Sequence, residues 1–373
     1  MHILCAPDSF KGSLSSPDVT EALATGLAQA LPDAVIRSHP LSDGGEGTLE
    51  VLCAYGFELV ERLVKDQLGR GTMAFFAHKA GVAVIESAQA SGFDPHATSV
   101  DAREASSYGV GELIAHALEA GASHIMLTVG GTSTTDGGVG MLQALGFDFL
   151  TSEGHPIPPG GEGLNQLAEI RLGAKDPRLE DVTISVLTDV DNPLLGPEGA
   201  AQIFAPQKGA DPIAVAILEQ GLTRLSSLAP GQHAAVPGAG AGGGMGFAAM
   251  AFLGAHRVSG ALAMMELTGF DEALEACDVV ITGEGSFDDQ SLHGKIPAVV
   301  IEHASARGIP VYVVCGVDRL ANRGALGQTT IHDIVSLSEL EPDPFSSIAN
   351  AAMLLTEVGS NLGSRILDNG LDL

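Results

Sequence analysis

Short apolar runs that recur along the chain constrain its fold more than any other feature. HILCAP opens the sequence, and CDVVITGEG, IPVYVVCG and IHDIVSL follow in the C-terminal part. Near-continuous apolar runs of this length are typical of parallel strands that are buried on both faces. Between the runs lie stretches whose apolar residues recur at helical spacing. The alternation predicts an α/β protein built on a parallel sheet.

The two ends of the chain predict one domain, and the middle predicts another. SSPDVTEALATGLAQAL predicts the first helix, with Ser16 as its N-cap and Pro17 at the first helical position, and AVIRSHP predicts a second strand. Together with the three C-terminal runs, these make five strands of a doubly wound sheet. We therefore expect one domain from residues 1–49 and 271–373, with a second α/β domain, 50–270, inserted into it.

The charge balance excludes several classes of partner. The chain has 373 residues, enough for two domains, and 18 Lys+Arg stand against 46 Asp+Glu, a formal net charge of -28. Such a surface repels nucleic acid and anionic membranes, so we expect neither as a partner. Any site for an anionic small molecule must be built locally. Lysine is scarce, and Lys11, Lys208 and Lys295 each adjoin a glycine, which draws attention to those positions.

The four cysteines predict neither a metal site nor a disulfide framework. They stand far apart and show no Cys/His spacing of the kind that holds zinc. We interpret them as small apolar residues in a reducing compartment. No basic leader with a long apolar run begins the sequence, and no run reaches about 18 apolar residues. The cytoplasm is the expected location, and a homo-oligomer is left open.

Polar clusters follow several of the apolar runs. They are DSFKGS, LSDGGEGT, VGGTSTTDGG, TDVDNPLLG and TGEGSFDDQSLHGK, with FAPQKGA shortly after the fourth. Each alone is also what a capped turn looks like. In a doubly wound sheet, however, ligands bind at the carboxyl ends of the strands. The repetition of one pattern at several strand ends favours a ligand site.

The glycine-rich stretch GAGAGGGMG leaves two interpretations open. Gly238, Gly240 and Gly243 match G-x-G-x-x-G, but Pro237 and the stretch before it do not form the strand that a dinucleotide fold requires. A helix is predicted from Met245 onward. The stretch therefore either offers backbone amides to a phosphate or forms a tight turn with close helix packing. No Walker A loop is present.

Taken together, the motifs resemble the glycerate kinase type I family. APDSFKGSL, DGGEGT, GGTSTTDGG, DVDNPLLGPEGA, FAPQKGA, PGAGAGGGMG and TGEGSFDDQSLHGK occur in that family's order. The resemblance implies a flavodoxin-like domain with an inserted α/β domain. It also implies ATP-dependent phosphorylation of D-glycerate, at the 2-hydroxyl, to give 2-phosphoglycerate. One departure is Thr135, where the family usually has Asn before Asp-Gly-Gly.

Phosphoryl transfer requires a positioned hydroxyl, cations on the phosphates and a bridging metal. We hypothesise that Asp189 accepts the glycerate hydroxyl proton while Lys11 and Lys295 neutralise phosphate or carboxylate charge. Candidates for substrate binding are Asp8, Ser9, Ser13, Thr134, Asn192 and Arg323. Candidates for binding ATP are Lys208 and the backbone amides of Gly240, Gly242 and Gly243. Asp43 and Glu284 are the candidates for Mg²⁺, with Asp8 as a further one.

Three other functions remain as alternatives. The chain could phosphorylate another small hydroxy acid or the 3-hydroxyl, which a substrate panel and product identification would reveal. It could be a metabolite-binding regulator without catalysis, which tight glycerate binding without ATP turnover would reveal. An NAD-dependent dehydrogenase is disfavoured by the context of Pro237.

Overall fold

The computed structural model describes residues 1–93, 101–292, 294–321 and 330–368. The chain divides into two compact units. Unit 1 consists of Met1–Asp43, Glu50–Tyr55 and Ser259–Leu373, and unit 2 of Gly44–Leu49 and Gly56–Val258. Unit 1 is therefore drawn from both ends of the sequence.

The helices and strands are numbered along the chain. The strands are β1 (His2–Cys5), β2 (Val35–Ser38), β3 (Glu58–Lys65), β4 (Gly71–Lys79), β5 (Val82–Glu86), β6 (His124–Thr128), β7 (Asp148–Leu150), β8 (Glu169–Arg171), β9 (Thr183–Leu187), β10 (His256–Val258), β11 (Val279–Phe287), β12 (Val311–Asp318) and β13 (Ile331–Ser336). The α-helices are α1 (Ser16–Ala30), α2 (Thr48–Ala54), α3 (Ala88–Ser91), α4 (Tyr108–Glu119), α5 (Val139–Ala144), α6 (Ala200–Phe204), α7 (Pro212–Leu228), α8 (Ala241–Leu253), α9 (Gly260–Thr268), α10 (Phe270–Glu275), α11 (Ile296–Ala306), α12 (Leu337–Leu340), α13 (Pro344–Ala349) and α14 (Ala351–Asp368). No helix in the described ranges combines the length and apolar character needed to span a membrane.

Unit 1 is built on a parallel sheet to which its described residues contribute five strands. Their order is β13-β12-β11-β1-β2, and every neighbouring pair is parallel. The predicted five-stranded parallel sheet is thus confirmed. Because all five strands point the same way, the segments that follow them leave from one edge of the sheet.

Helices cover both faces of this sheet. Ile3 of β1 faces a core formed with α1 and α14, whereas the next residue, Leu4, faces a core formed with α9, α10 and α11. Successive side chains of a strand point to opposite faces, so an apolar run is required where both faces are covered. This is the physical reason for the near-continuous apolar runs in the sequence.

The first helix departs from the sequence prediction by one residue. Ser15, and not Ser16, is the N-cap, and its side chain accepts a hydrogen bond from the backbone N–H of Asp18. The Ser16 hydroxyl is buried and instead donates to the Pro7 carbonyl at 2.9 Å. The prediction of Ser16 as the cap was wrong because two adjacent serines satisfy the same local pattern, and only tertiary contacts decide between them.

Helices α1 and α14 pack closely against each other. A side chain at Gly26 of α1 would overlap the backbone of Thr356 in α14, and one at Gly359 would reach the Leu23 carbonyl. Glycine at these two positions lets the helix backbones approach each other. The first and last helices of unit 1 are thereby joined in one core.

Unit 2 has a mixed sheet with the order β10-β9-β6-β5-β4-β3. The pairs β3/β4 and β4/β5 are antiparallel and the other pairs are parallel. A separate antiparallel pair joins β7 to β8. The described helices of this unit pack with the sheet in a single large apolar core.

Candidate functional site

The first polar cluster of unit 1 follows β1. Beyond Cys5 the chain stays alongside β11, and the Asp8 N–H donates to the Gly283 carbonyl at 2.8 Å. This pairing extends the sheet by a few residues. It holds Asp8 at the carboxyl end of β1, next to the strand that carries Glu284.

Lys11 is presented by a tight turn. Phe10 and Leu14 exchange backbone hydrogen bonds of 2.9 and 3.0 Å, which close the chain around Lys11, Gly12 and Ser13. Gly12 has φ +77°, a left-handed conformation that glycine adopts without strain. The glycine in FKGSL is therefore needed by the turn that exposes the lysine.

Three carboxylates and two lysines form an ionic cluster in unit 1. Lys11 Nζ lies 3.9 Å from Asp43 Oδ2, and Lys295 Nζ lies 3.5 Å from Glu284 Oε2. Asp8 is buried, and this burial, together with the charge of Asp43, raises its pKa to about 7. Burial also raises the pKa of Glu284, while Lys295 opposes the shift.

A cavity of about 530 Å³ lies beside this cluster, within unit 1. The predicted residues that line it are Ser9, Lys11, Ser13, Glu284 and Lys295. Its other lining residues include Phe10, Ser286, Asp288, Gly316, Val317, Arg319, Leu337, Ser338, Glu341, Pro342, Pro344, Ser347, Ile348 and Ala351. One cavity thus collects residues that follow β1, β11, β12 and β13.

Two of the predicted substrate residues of unit 1 need separate mention. The Ser13 hydroxyl donates to the Ile348 carbonyl at 3.1 Å, so it also ties the Lys11 turn to α13. Arg323 lies outside the described residues. The cavity contains Arg319, directly after the end of β12, which sequence reasoning did not select. Its signal was its position: an arginine immediately after a buried strand.

In unit 2, Lys208 is a buried lysine. It is only 7% exposed, and its Nζ donates to the Thr134 carbonyl at 2.6 Å. Burial lowers its pKa to about 8, and the charge of Asp136 opposes the shift. The hydroxyl oxygens of Thr134 and Thr135 are also buried, and neither has a hydrogen-bond partner among the described residues. Polar groups are thus concentrated here beyond what internal hydrogen bonding uses.

Asp136 anchors the loop that carries these threonines. It is buried, and its carboxylate accepts hydrogen bonds from the N–H and hydroxyl of Ser107, both 2.8 Å, and from the N–H groups of Gly138 and Gly140 at 3.0 and 3.1 Å. Burial raises its pKa, and these hydrogen bonds oppose the shift. We interpret Asp136 as a structural anchor that fixes the TSTTDGG loop.

The glycine-rich stretch packs directly onto that loop. Gly242, Gly243 and Gly244 have φ values of +59°, +67° and +97°, so the regular part of α8 begins after them. A side chain at Gly243 would overlap the Thr134 carbonyl, and the Gly137 N–H donates to the Gly243 carbonyl at 3.0 Å. Close backbone packing therefore accounts for at least one of these glycines.

The loop after β9 carries Asp189 and Asn192. Asp189 is exposed. The side-chain amide of Asn192 donates to the Glu198 carbonyl at 2.8 Å, and the backbone carbonyl of Asn192 accepts from the Gly240 N–H at 2.9 Å. Arg257 spans the loop, since its guanidinium lies 2.8 Å from Asp191 and donates to the Thr188 carbonyl at 3.2 Å. The loop is fixed at both sides of Asp189.

A cavity of about 190 Å³ opens among these loops, within unit 2. Of the predicted residues, Lys208 and Gly242 line it. Its other lining residues are Phe93, Val129, Gly130, Gly131, Thr132, Thr188, Val190, Phe204, Gln207 and Ala241. Asp189 is not a lining residue, although both of its neighbours are.

Glu86 is a buried carboxylate that sequence reasoning missed. It ends β5 and accepts a hydrogen bond of 2.8 Å from the Leu49 N–H, at the start of α2. Burial raises its pKa, and the Leu49 hydrogen bond opposes the shift. Glu86 thus fixes the chain two residues after the DGGEG segment, at Leu49. A charged residue that closes the apolar run VAVIE was the available signal.

Comparison with known proteins identifies the family. The family model described as the glycerate kinase family matches residues 3–367. The chain belongs to the glycerate kinase family. The resemblance inferred from the motifs is therefore confirmed.

Among its relatives, the glycerate 2-kinase of Escherichia coli (strain K12) is 42% identical over 325 residues, and the glycerate kinase of Bacillus subtilis (strain 168) is 40% identical over 326. Each match covers 85% of both chains. A crystal structure assigned to glycerate kinase 2 from Salmonella typhimurium LT2 superposes with a TM-score of 0.86 at 36% identity, over 100% of both chains. Its likeness shows that this glycerate kinase family member has the family's fold.

The kinase family implies the use of ATP, and the sequence predicts that Mg²⁺ accompanies it, so we tested whether the residues present fit this ion. Among the described residues, no group of three or more His, Cys, Asp or Glu is arranged to hold an ion. Mg²⁺ usually takes one or two carboxylates, and waters and substrate phosphates complete its shell. The Asp8, Asp43 and Glu284 carboxylates fit that mode, because the charges of the other two both raise the pKa of Asp8. Glu284 Oε1 is also buried without a hydrogen-bond partner in the described part of the chain.

Proposed function

We propose that the protein catalyses the ATP-dependent phosphorylation of D-glycerate at its 2-hydroxyl, giving 2-phosphoglycerate and ADP. The family match over residues 3–367 carries this proposal. The choice of the 2-hydroxyl is supported by the name of the Escherichia coli relative, glycerate 2-kinase. The 3-hydroxyl or another small hydroxy acid is the alternative that product identification must exclude.

In the proposed reaction, the glycerate hydroxyl attacks the terminal phosphorus of ATP. The bond between that phosphorus and the oxygen of ADP breaks, and Asp189 accepts the hydroxyl proton. The exposure of Asp189 supports its role as a base, because an exposed carboxylate at an anchored loop is accessible to substrate. Thr134 and Asn192 remain proposed substrate residues of the same unit.

Lys11 and Lys295 offset the negative charge on the phosphates or on the glycerate carboxylate. Their position on one cavity, in a molecule of net charge -28, supports this role, since few other cations are available. Asp8, Ser9 and Ser13 are proposed to bind substrate oxygens there. Arg323, outside the described residues, stays a proposed substrate residue. Lys208 and the backbone amides of Gly242 and Gly243 are proposed to bind phosphate oxygens of ATP. Gly240 was a candidate too, but its N–H donates to the Asn192 carbonyl.

Asp43 and Glu284 are proposed to hold Mg²⁺, directly or through water. When bound, the ion would offset the charge on the phosphates that it bridges. In the protein itself, Lys11 lies 3.9 Å from Asp43, and Lys295 opposes the rise in the Glu284 pKa that burial causes.

We also propose the finer assignments of fold and location. The strand order of unit 1, which runs 2-1-3-4-5 when its strands are numbered along the chain, supports a flavodoxin-like domain with an inserted second α/β domain. The compact units support this discontinuous arrangement, and we take the boundaries from them in preference to residues 49/50 and 270/271. Four free cysteines support the reducing cytoplasm. A homo-oligomer is left open.

The proposal is tested by ADP release coupled to an indicator reaction, with D-glycerate and Mg-ATP, followed by NMR identification of the product. We expect 2-phosphoglycerate and an Asp189→Asn variant that folds normally but loses about 10²-fold or more in kcat. The matched control is Asp181→Asn, at an exposed carboxylate before β9 that lines neither cavity. Tight glycerate binding without ADP release would refute the kinase proposal, and wild-type turnover in Asp189→Asn would refute the assignment of the base.

A further inference from the structure

The unit 1 cavity has both charged and apolar lining residues. Lys11, Glu284 and Lys295, described above, are the charged ones discussed here. An apolar wall is formed by Phe10, Leu337, Pro342, Pro344, Ile348 and Ala351. These residues come from the Lys11 turn, from α12 and from the segment that runs through α13 into α14.

The volume of the cavity suits one of the two substrates of a kinase better than the other. At about 530 Å³ it falls in the range of about 300–1,000 Å³ that holds nucleotides and drug-sized ligands. A three-carbon hydroxy acid would leave most of it empty. Such an acid consists almost entirely of carboxylate and hydroxyl groups, so it also offers nothing to cover an apolar wall.

A purine nucleotide matches both kinds of lining residue. Its ring has flat apolar faces, and its phosphates are anionic. Ile348 is 52% exposed and lines the cavity, so a ring placed there would remove apolar surface from water. The lysines of the same cavity would meet the phosphates.

Ser286 gives a second, independent observation. Its hydroxyl oxygen is buried, lies on a residue that lines the cavity, and has no hydrogen-bond partner among the described residues. Buried hydroxyls are rarely left unpaired, because the loss of water is then not compensated. The residue itself is only partly buried, so rotation of its hydroxyl toward the cavity would let a ribose hydroxyl or phosphate oxygen supply the missing partner.

We propose that the unit 1 cavity is the binding site for the adenine nucleotide, with the purine ring against Leu337 and Ile348 and the phosphates at Lys11 and Lys295, in preference to Lys208 and the glycine-rich stretch. This inference rests on the proposed kinase function for its choice of ligand. It assigns nucleotide selectivity to α12 and α13, which carry none of the residues that the motifs pointed to.

The experiment measures binding of Mg-ADP and of magnesium pyrophosphate by calorimetry, in the wild type and in Ile348→Asn. Asparagine is neutral, so it does not repel the phosphates. Because Ile348 is exposed, its substitution should leave the fold intact. We expect Mg-ADP affinity to fall about tenfold while pyrophosphate affinity is unchanged. Ile213→Asn is the matched control, since Ile213 is 71% exposed, lies on α7 and lines neither cavity. Ser286→Ala should weaken Mg-ADP binding in the same direction.

Each other result overturns the inference. Unchanged Mg-ADP affinity in Ile348→Asn would show that the ring does not contact the wall, and an equal loss for pyrophosphate would show a general disturbance. A raised KM for D-glycerate with unchanged Mg-ADP affinity would make glycerate the occupant. The proposed function fails separately: a wild type that shows the expected binding pattern but never phosphorylates glycerate refutes the function and supports the nucleotide site.

Discussion

The ammonium group of Lys208 donates a 2.6 Å hydrogen bond to the carbonyl oxygen of Thr134, although the lysine is almost completely buried. Lysines are rarely buried to this degree, because removing the charge from water is unfavourable. One backbone carbonyl and the charge of Asp136 do not fully offset that loss, and burial accordingly lowers the lysine pKa. This supports the proposal that Lys208 binds an anionic ligand.

We first predict that Lys208→Met reduces turnover but not stability. At pH 7 the free energy of unfolding should stay within about 1 kcal/mol of the wild type, since an apolar side chain avoids the burial of charge. The kcat should fall by about 10²-fold. Chemical denaturation and steady-state kinetics measure the two effects, with Lys175→Met, at a half-buried surface lysine that lines neither cavity, as control. Unchanged kcat would exclude Lys208 from the reaction.

The same lysine predicts a pH dependence in the wild type. Its folded pKa of about 8 lies below the ordinary value of 10.5, so the unfolded chain binds more protons between these two pH values. Its contribution to stability should therefore rise as the pH increases from about 8 to 10.5. Lys208→Met should lack this contribution. Parallel stability curves for the two proteins over this range would contradict the assignment.

Asp8 should give the free energy of unfolding a pH dependence opposite to that from Lys208. Burial and Asp43 raise the pKa of Asp8 to about 7, so between about pH 4 and 7 the folded state retains a proton that the unfolded state has lost. The contribution of Asp8 to stability is complete below about pH 4 and declines up to about pH 7. Asp8→Asn should thus be more stable than the wild type by about 1–3 kcal/mol at pH 8 and by much less at pH 4.

Urea unfolding at the two pH values, without Mg²⁺, measures this difference. Added Mg²⁺ should reduce the stability difference between Asp8→Asn and the wild type at pH 8, because we propose that the ion binds the ionised carboxylates of the folded wild type. A difference independent of pH would show that Asp8 titrates normally.

Substitutions at Gly243, near the start of α8, and at Gly254, just after its end, distinguish the cost of backbone strain from the cost of steric overlap. Gly243 and Gly254 both have positive φ, +67° and +66°, but a side chain at Gly243 would overlap the Thr134 carbonyl, whereas nothing lies within 4 Å of one at Gly254. Gly254→Ala should cost about 1 kcal/mol from strain alone, and Gly243→Ala about 3 kcal/mol or more. Thermal and urea unfolding give both values. Equal losses would mean that the loop moves freely away from α8.

We predict that Lys295 makes a large contribution to kcat although its side chain is partly exposed. Lys295→Met removes the cation 3.5 Å from Glu284, and kcat should fall by about 10²–10³-fold with little change in stability. Lys175→Met again serves as control, since Lys175 makes a comparable ion pair of 3.2 Å with Glu180. A loss confined to the KM for glycerate would assign Lys295 to substrate binding alone.

The five strands of unit 1 could be predicted because burial on both sheet faces leaves a local trace, an apolar run. The strand order of unit 2 could not, since its antiparallel edge depends on contacts that no short segment encodes. The polar clusters were visible as residue types after strands. Their internal partners were not, and the Ser13 and Asn192 side chains both donate within the protein. Arg319 was missed because spacing alone does not show which side chain reaches a cavity.

The packing of α1 against α14 sets an order of events on the ribosome. Every residue of unit 2 has been synthesised when Val258 is added, whereas β1 and α1 must wait for β11, β12 and α14 before their apolar faces are covered. Domains generally fold as they emerge, so unit 2 can form while the nascent N-terminal segment still exposes Leu23 and Leu27. Until translation reaches the C-terminal helix, that segment exposes apolar surface of the kind that chaperones bind.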